Sequence, residues 1–190
     1  MRLRAGEIAP HFDMLDLQGR WISLSAYYGR PLLLTFFRSA VYPLCNMRLW
    51  HLLQRYPAYR QQGLRVIAFF ESTPEYANEY LERFQAPFPL IPDPDAIVYA
   101  RYGLGTSMLG TARGTMRRGV YREARRRGVG DWRLLAGFFA MDGKKFRMPA
   151  DFVLGGDLRI RTAHYARVSG DFLLFSELEE SLGWPRALWR

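Results

Sequence analysis

The chain has 190 residues, enough for one domain with a substantial core and short for two. It is 49% hydrophobic and 24% charged, a globular balance that excludes a disordered or fibrous protein. Its net charge of +9 is local: residues 1–100 carry +1, residues 101–147 carry +9 and residues 148–190 carry −1.

Residues 8–24 alternate apolar and polar side chains through Phe12, Met14 and Leu17, and predict two short strands around a Gln18-Gly19 turn, with Trp21 and Leu24 in the second arm. The apolar run at 31–37 has strand length and suits a central strand covered on both faces. Residues 43–62 have helical periodicity, with a kink or break expected at Pro57 and a C-cap at Gly63. A second buried strand is predicted at 64–70. Thr73-Pro74 then reads as the start of a helix running to about residue 84. A short strand follows at 88–91 and a helical turn at 96–102. Strands alternating with helices predict an α/β layered fold with right-handed crossovers.

From residue 103 to 146 the texture changes to a Gly- and Arg-rich insertion with few strand signals, in which residues 115–127 fit a basic helix interrupted by Gly119. Strands return at 150–154 and 158–164, joined across Gly155-Gly156-Asp157. A final amphipathic helix is expected at 172–182, followed by Trp184 and Trp189. Trp50, Phe69 and Phe70 are expected in the core.

The single cysteine, Cys45, excludes an intrachain disulfide framework and a cysteine-based zinc site within one chain. His11, His51 and His164 lack metal-ligand spacing. No metal or cofactor is expected. The first residues hold no leader-like apolar run, and no stretch reaches the ~18 apolar residues of a spanning helix, so a cytoplasmic location is expected. Cys45 itself follows a buried strand and opens a helix, where free N–H groups and partial positive charge favour a thiolate. Arg38 and Arg48 are the local cations. The competing reading is a buried structural thiol, since free cysteine is among the most buried residue types.

A set of short matches bears on that choice: Gly6 with Ala9-Pro10 and Phe12, Asp16 with Gly19 and Leu24, then Phe37-Arg38 and Pro43-x-Cys45, followed by the stretches at 64–70, 89–94, 148–154 and 164–171. Their order and spacing resemble the peroxiredoxin-like branch of the alkyl hydroperoxide reductase/thiol-specific antioxidant superfamily, over residues 6–102 and 147–182. The resemblance implies one thioredoxin-like domain over 1–190, of peroxiredoxin type, with a central mixed sheet flanked by helices and the basic helical or loop insertion at 103–146. It implies a thiol-dependent peroxidase in which Cys45 attacks a hydroperoxide and becomes a sulfenic acid.

The departures matter as much. Peroxiredoxins carry Pro seven residues before that cysteine and Thr or Ser three before it, where this chain has Arg38 and Tyr42. The branch often has a second cysteine at position 42, so Tyr42 removes an internal disulfide. The superfamily's distal arginine falls on Pro149, leaving Arg147 and Arg167 as nearby candidates. The catalytic set implied is therefore Cys45, Arg38, Tyr42, Arg147 and Arg167. The partners implied are a hydroperoxide and an external thiol reductant of thioredoxin, glutaredoxin or glutathione type, or a second copy joined through Cys45 in a homodimer. The alternative is a degenerate member with a binding or redox-sensing role, motivated by Tyr42 and Pro149. The arginines at 113–127 would attract phosphate. They lack aromatic interleaving and any DNA-binding motif, so nucleic acid is not the expected partner.

Overall fold

A computed structural model describes residues 1–115, 126 and 146–184. The 115–127 basic helix, all but its first residue and residue 126, and the Trp189 tail lie outside the described residues.

Strands β1 (Asp13–Leu15) and β2 (Trp21–Ser23) form the expected antiparallel hairpin. Its turn is set by Asp16, whose carboxylate accepts the N–H groups of Gln18 and Arg20 and pairs with the Arg20 guanidinium at 2.6 Å. Gly19 supplies the positive φ of +74° that the turn needs.

Five further strands make one mixed sheet in the order β5 (Leu90–Pro92), β4 (Arg65–Phe70), β3 (Leu32–Phe37), β6 (Ala150–Leu154), β7 (Ile160–Tyr165). β3, β4 and β5 run parallel; β6 is antiparallel to β3, and β7 to β6. All six residues of β3 are buried, as the unbroken apolar run requires of a central strand. Its alternate residues serve two cores. Leu33 and Phe37 face a cluster with Leu52, Tyr56, Val66, Phe70 and Leu178, whereas Leu32, Leu34 and Phe36 face Phe12, Phe69, Tyr99, Tyr102 and Phe152. Two ring stacks, Phe36 on Phe69 at 4.6 Å and Phe37 on Phe70 at 4.8 Å, lock β3 to β4 at their C-terminal ends.

Helix α1 (Pro43–Gln61) follows β3, with Pro at its first position. It runs through Pro57 as one element, so of the expected kink or break the break does not occur. Pro57 is exposed, on the helix face turned to solvent. Gly63, at φ +89°, closes it, with the Leu64 N–H returning to the Tyr59 carbonyl at 3.0 Å. Helix α2 (Pro74–Leu81) is capped by Thr73, which accepts the Tyr76 N–H, and ends in a 3-10 turn at Glu82–Phe84.

Helix α3 (Ile97–Arg101) leads to α4 (Met108–Thr115), an element the glycine-rich composition of the insertion concealed. The ends of the insertion are stitched together: Ser107 N–H donates to the Phe146 carbonyl at 2.8 Å, and Met148 N–H to Gly105 at 3.1 Å. Helix α5 (Phe175–Ser181) begins later than the pattern suggests, because the Leu173 N–H is committed to Asp151 and the Leu173 carbonyl to Arg48, each at 2.8 Å. Phe69 and Phe70 are fully buried, and Trp50 is half-buried against Met47. Among the described residues no helix is long and apolar enough to cross a membrane.

Candidate active site

The chain leaves β3 at its C-terminal end, where the open side of an α/β sheet gathers loops. Residues 38–42 turn there and α1 begins, with Tyr42 as its N-cap and Cys45 in its first turn. The Cys45 Sγ lies under the turn, accepting the Arg38 N–H at 3.4 Å and the Ser39 N–H as well. The turn is anchored to the neighbouring strand end by the Ala40 N–H, which donates to the Ser72 hydroxyl at 3.1 Å.

Arg38 is itself buried. Its guanidinium stands 4.6 Å from the centre of the Tyr42 ring and acts electrostatically on the sulfur. Cys45, Arg38 and Tyr42 are thus brought together. The Tyr42 hydroxyl is buried, with no hydrogen-bond partner among the described residues.

The thiol is 1% exposed, and this decides its acidity. Burial pushes the Cys45 pKa up to about 11, against the opposing pull of two backbone N–H groups and the Arg38 cation. Desolvation wins over the helix N-terminus.

Arg147 enters the same end of the sheet from the segment that leads into β6, bridged to Thr106, and is buried. It is held by Glu71, through Nε to one carboxylate oxygen and Nη2 to the other, and it donates from Nη1 to the Leu104 carbonyl at 2.8 Å. Its guanidinium also lies 5.3 Å from the Tyr99 ring. Tyr99 links this pair to the cysteine loop: its hydroxyl donates to the Phe37 carbonyl at 2.5 Å, and it feels the charges of Glu71, Asp93, Arg147 and Cys45. Burial and the two carboxylates hold its phenol well above the ordinary tyrosine range. Asp93 braces α3 beneath it by accepting the Ile97 and Val98 N–H groups at 2.9 and 2.8 Å.

Arg167 goes elsewhere. It is exposed beyond β7, its N–H bound to Asp171 at 2.8 Å. Arg48, the other cation near Cys45 in sequence, points across to β6. It donates to the Leu173 carbonyl at 2.8 Å, lies 3.6 Å from Asp151 and stacks at 4.0 Å on Phe175. Sequence reasoning missed Glu71, Tyr99 and Asp93. A carboxylate immediately after an apolar strand was the available signal, since the parallel strands bring the residues after β3, β4 and β5 to one edge. Among the described residues no cluster of three His, Cys, Asp or Glu could hold a metal.

Comparison with known proteins agrees with this architecture. Residues 5–162 match the AhpC/TSA family. The chloroplastic peroxiredoxin Q of Oryza sativa subsp. japonica is 26% identical over 113 residues, covering 60% of this chain and 52% of that protein. The thiol-disulfide oxidoreductase ResA of Geobacillus thermodenitrificans is 32% identical over 101 residues, covering 53% and 58%. The chain thus spans little more than half the length of these curated relatives. The crystal structure of peroxidoxin BcpB from Mycobacterium tuberculosis superposes over 100% of both chains with a TM-score of 0.67 at 15% identity, a likeness of fold. The β3–loop–α1 unit with Cys45 in the first turn, the mixed five-stranded sheet and the family match converge: the fold is thioredoxin-like, and the chain belongs to the AhpC/TSA family.

Proposed function

We propose that the protein is a thiol-dependent peroxidase of one-cysteine type, with Cys45 as the nucleophile. The observation that carries this reading is the setting of Sγ in the first turn of α1, where two backbone N–H groups and the Arg38 cation favour negative charge on sulfur. The Cys45 thiolate attacks the distal oxygen of a hydroperoxide. An S–O bond forms, the O–O bond breaks, and the departing alkoxide takes a proton and leaves as alcohol or water. One external thiol then condenses with the sulfenic acid, releasing water. A second thiol releases Cys45 and leaves as the external disulfide.

Arg38 is assigned the developing charge. Arg147 is a positioning residue, holding Glu71 and Tyr99 behind the Phe37–Arg38 turn. Arg167 has no part in the step. The burial of Cys45 favours a small external thiol over a second copy of the chain as the reductant, with the 38–42 turn opening to admit it.

A second reading rests on the raised thiol pKa: a member of the family that keeps the fold and senses or binds rather than turns over. Both are tested by treating the reduced protein with hydrogen peroxide and an organic hydroperoxide in the presence of dimedone, with Cys45→Ser as the blank. A Cys45 adduct forming orders of magnitude faster than with free cysteine supports the peroxidase. An adduct rate no greater than that of free cysteine supports the second reading, and no adduct under excess peroxide overturns the first.

A further inference from the structure

At the opposite end of the sheet from Cys45, the N-terminal ends of β3 and β4 meet the β1–β2 hairpin and the last turns of α1. Between them lies a cleft of about 500 Å³, within the roughly 300–1,000 Å³ of small-molecule sites. Four arginines line it: Arg20, Arg30, Arg60 and Arg65. No lining residue is acidic. Arg20 is neutralised by Asp16 on the hairpin, so the other three supply the charge. Among the described residues none of those three has an ion-pair partner. Three arginines without an ion-pair partner among the described residues thus line one cleft.

Apart from Ser23, the rest of the lining is aromatic and apolar. Trp21 is 74% exposed and lines the same cleft, while Phe88 and Tyr56 form an edge-to-face pair with centroids 4.9 Å apart. Tyr56 is 4% exposed and lines the cleft. Tyr27 stands beside it, within electrostatic reach of Tyr56, Arg20 and Arg65. We propose that this cleft binds a phosphorylated aromatic small molecule of nucleotide type. Arg30, Arg60 and Arg65 take the phosphates, the Tyr56 and Tyr27 hydroxyls donate to ligand oxygens, and the flat ring stacks on Trp21. The site is separate from the Cys45 chemistry and stands or falls independently of it.

The probe is ADP, titrated by calorimetry and by tryptophan fluorescence at low and moderate salt, with inorganic pyrophosphate and adenosine as the two half-ligands. ADP is expected to bind at least tenfold more tightly than either half, and more weakly as salt rises. Arg60→Ala/Arg65→Ala is expected to weaken ADP at least tenfold with little effect on adenosine. Trp21→Ala, a change at an exposed ring that leaves the fold intact, is expected to weaken ADP and adenosine alike but not pyrophosphate. Pyrophosphate binding as tightly as ADP would reduce the cleft to an anion patch and overturn the proposal. So would no binding of millimolar ADP, unchanged binding by either variant, or displacement of ADP by a single-stranded oligonucleotide at a far lower nucleotide concentration.

Discussion

The acidity of Cys45 is set by its burial, and pH alone perturbs it. An ordinary thiol at 9.0 is about 1% thiolate at pH 7, whereas one pushed up to about 11 is only ~0.01% thiolate, a hundredfold less. Alkylation by iodoacetamide reads that fraction directly, because only the thiolate reacts. The second-order rate constant at Cys45, followed by mass spectrometry in the native protein, is expected to rise about tenfold per pH unit from 7 to 10 without levelling. At pH 7 it should lie at least a hundredfold below that of the same cysteine in the guanidinium-unfolded chain, and lower still where the closed 38–42 turn blocks the reagent. A plateau setting in near pH 6–7 would show a preformed thiolate. The balance in which desolvation outweighs Arg38 and the two N–H donors would then be refuted.

The same shift sets a stability difference. The folded pKa lies above the unfolded one, so its contribution is fully present below pH 9 and is lost as pH rises through 11. Wild type should lose about 3 kcal/mol relative to Cys45→Ala across that window in urea melts run at each pH. Breaking the buried Arg147–Glu71 pair with Glu71→Gln should cost about 3–5 kcal/mol by leaving a buried cation unpaired, and Glu71→Gln/Arg147→Met should regain a large part of it. Equal melts for the single and double variants would contradict that. Gly170 has φ +81°, and a Cβ there would stand 2.8 Å from Leu44 Cδ1, so Gly170→Ala should destabilise by about 1–3 kcal/mol in the same assay.

Most of the sheet was legible because its strands carry their burial in their composition: the runs ending at Phe37 and Phe70 admit no exposed face. The position of Cys45 was equally legible, since a strand followed by Pro43 two residues ahead of a cysteine fixes the first turn of a helix. Helix α4 was not, because Gly110 and Gly114 erase the propensity signal there. Gly110 is instead required by packing, as a Cβ would stand 2.7 Å from the Arg167 carbonyl. The partner of Arg147 was hidden for a different reason. Glu71 lies 76 residues away, and only the parallel pairing of β3 and β4, with Arg147 leading into β6 on the other side of β3, brings the two to one edge.

The two arginines flanking Cys45 show how far local sequence can carry a site. Arg38 and Arg48 are equally plausible as activators by distance along the chain, seven residues before the thiol and three after it. Helical geometry separates them. A residue three after Cys45 shares its buried face one turn further along, over the sheet, and there Asp151 and the Leu173 carbonyl claim the guanidinium. Arg38, in the turn, is left as the one cation felt by the sulfur among the described residues. A single buried cation cannot offset complete desolvation, so the thiol is held back while the turn is closed. One contact closing it is the Ala40 N–H to Ser72. On the peroxidase reading proposed above, water admitted at the backbone of residues 38–42 would remove the penalty that the N–H donors and Arg38 do not overcome, and those same groups would then favour the thiolate.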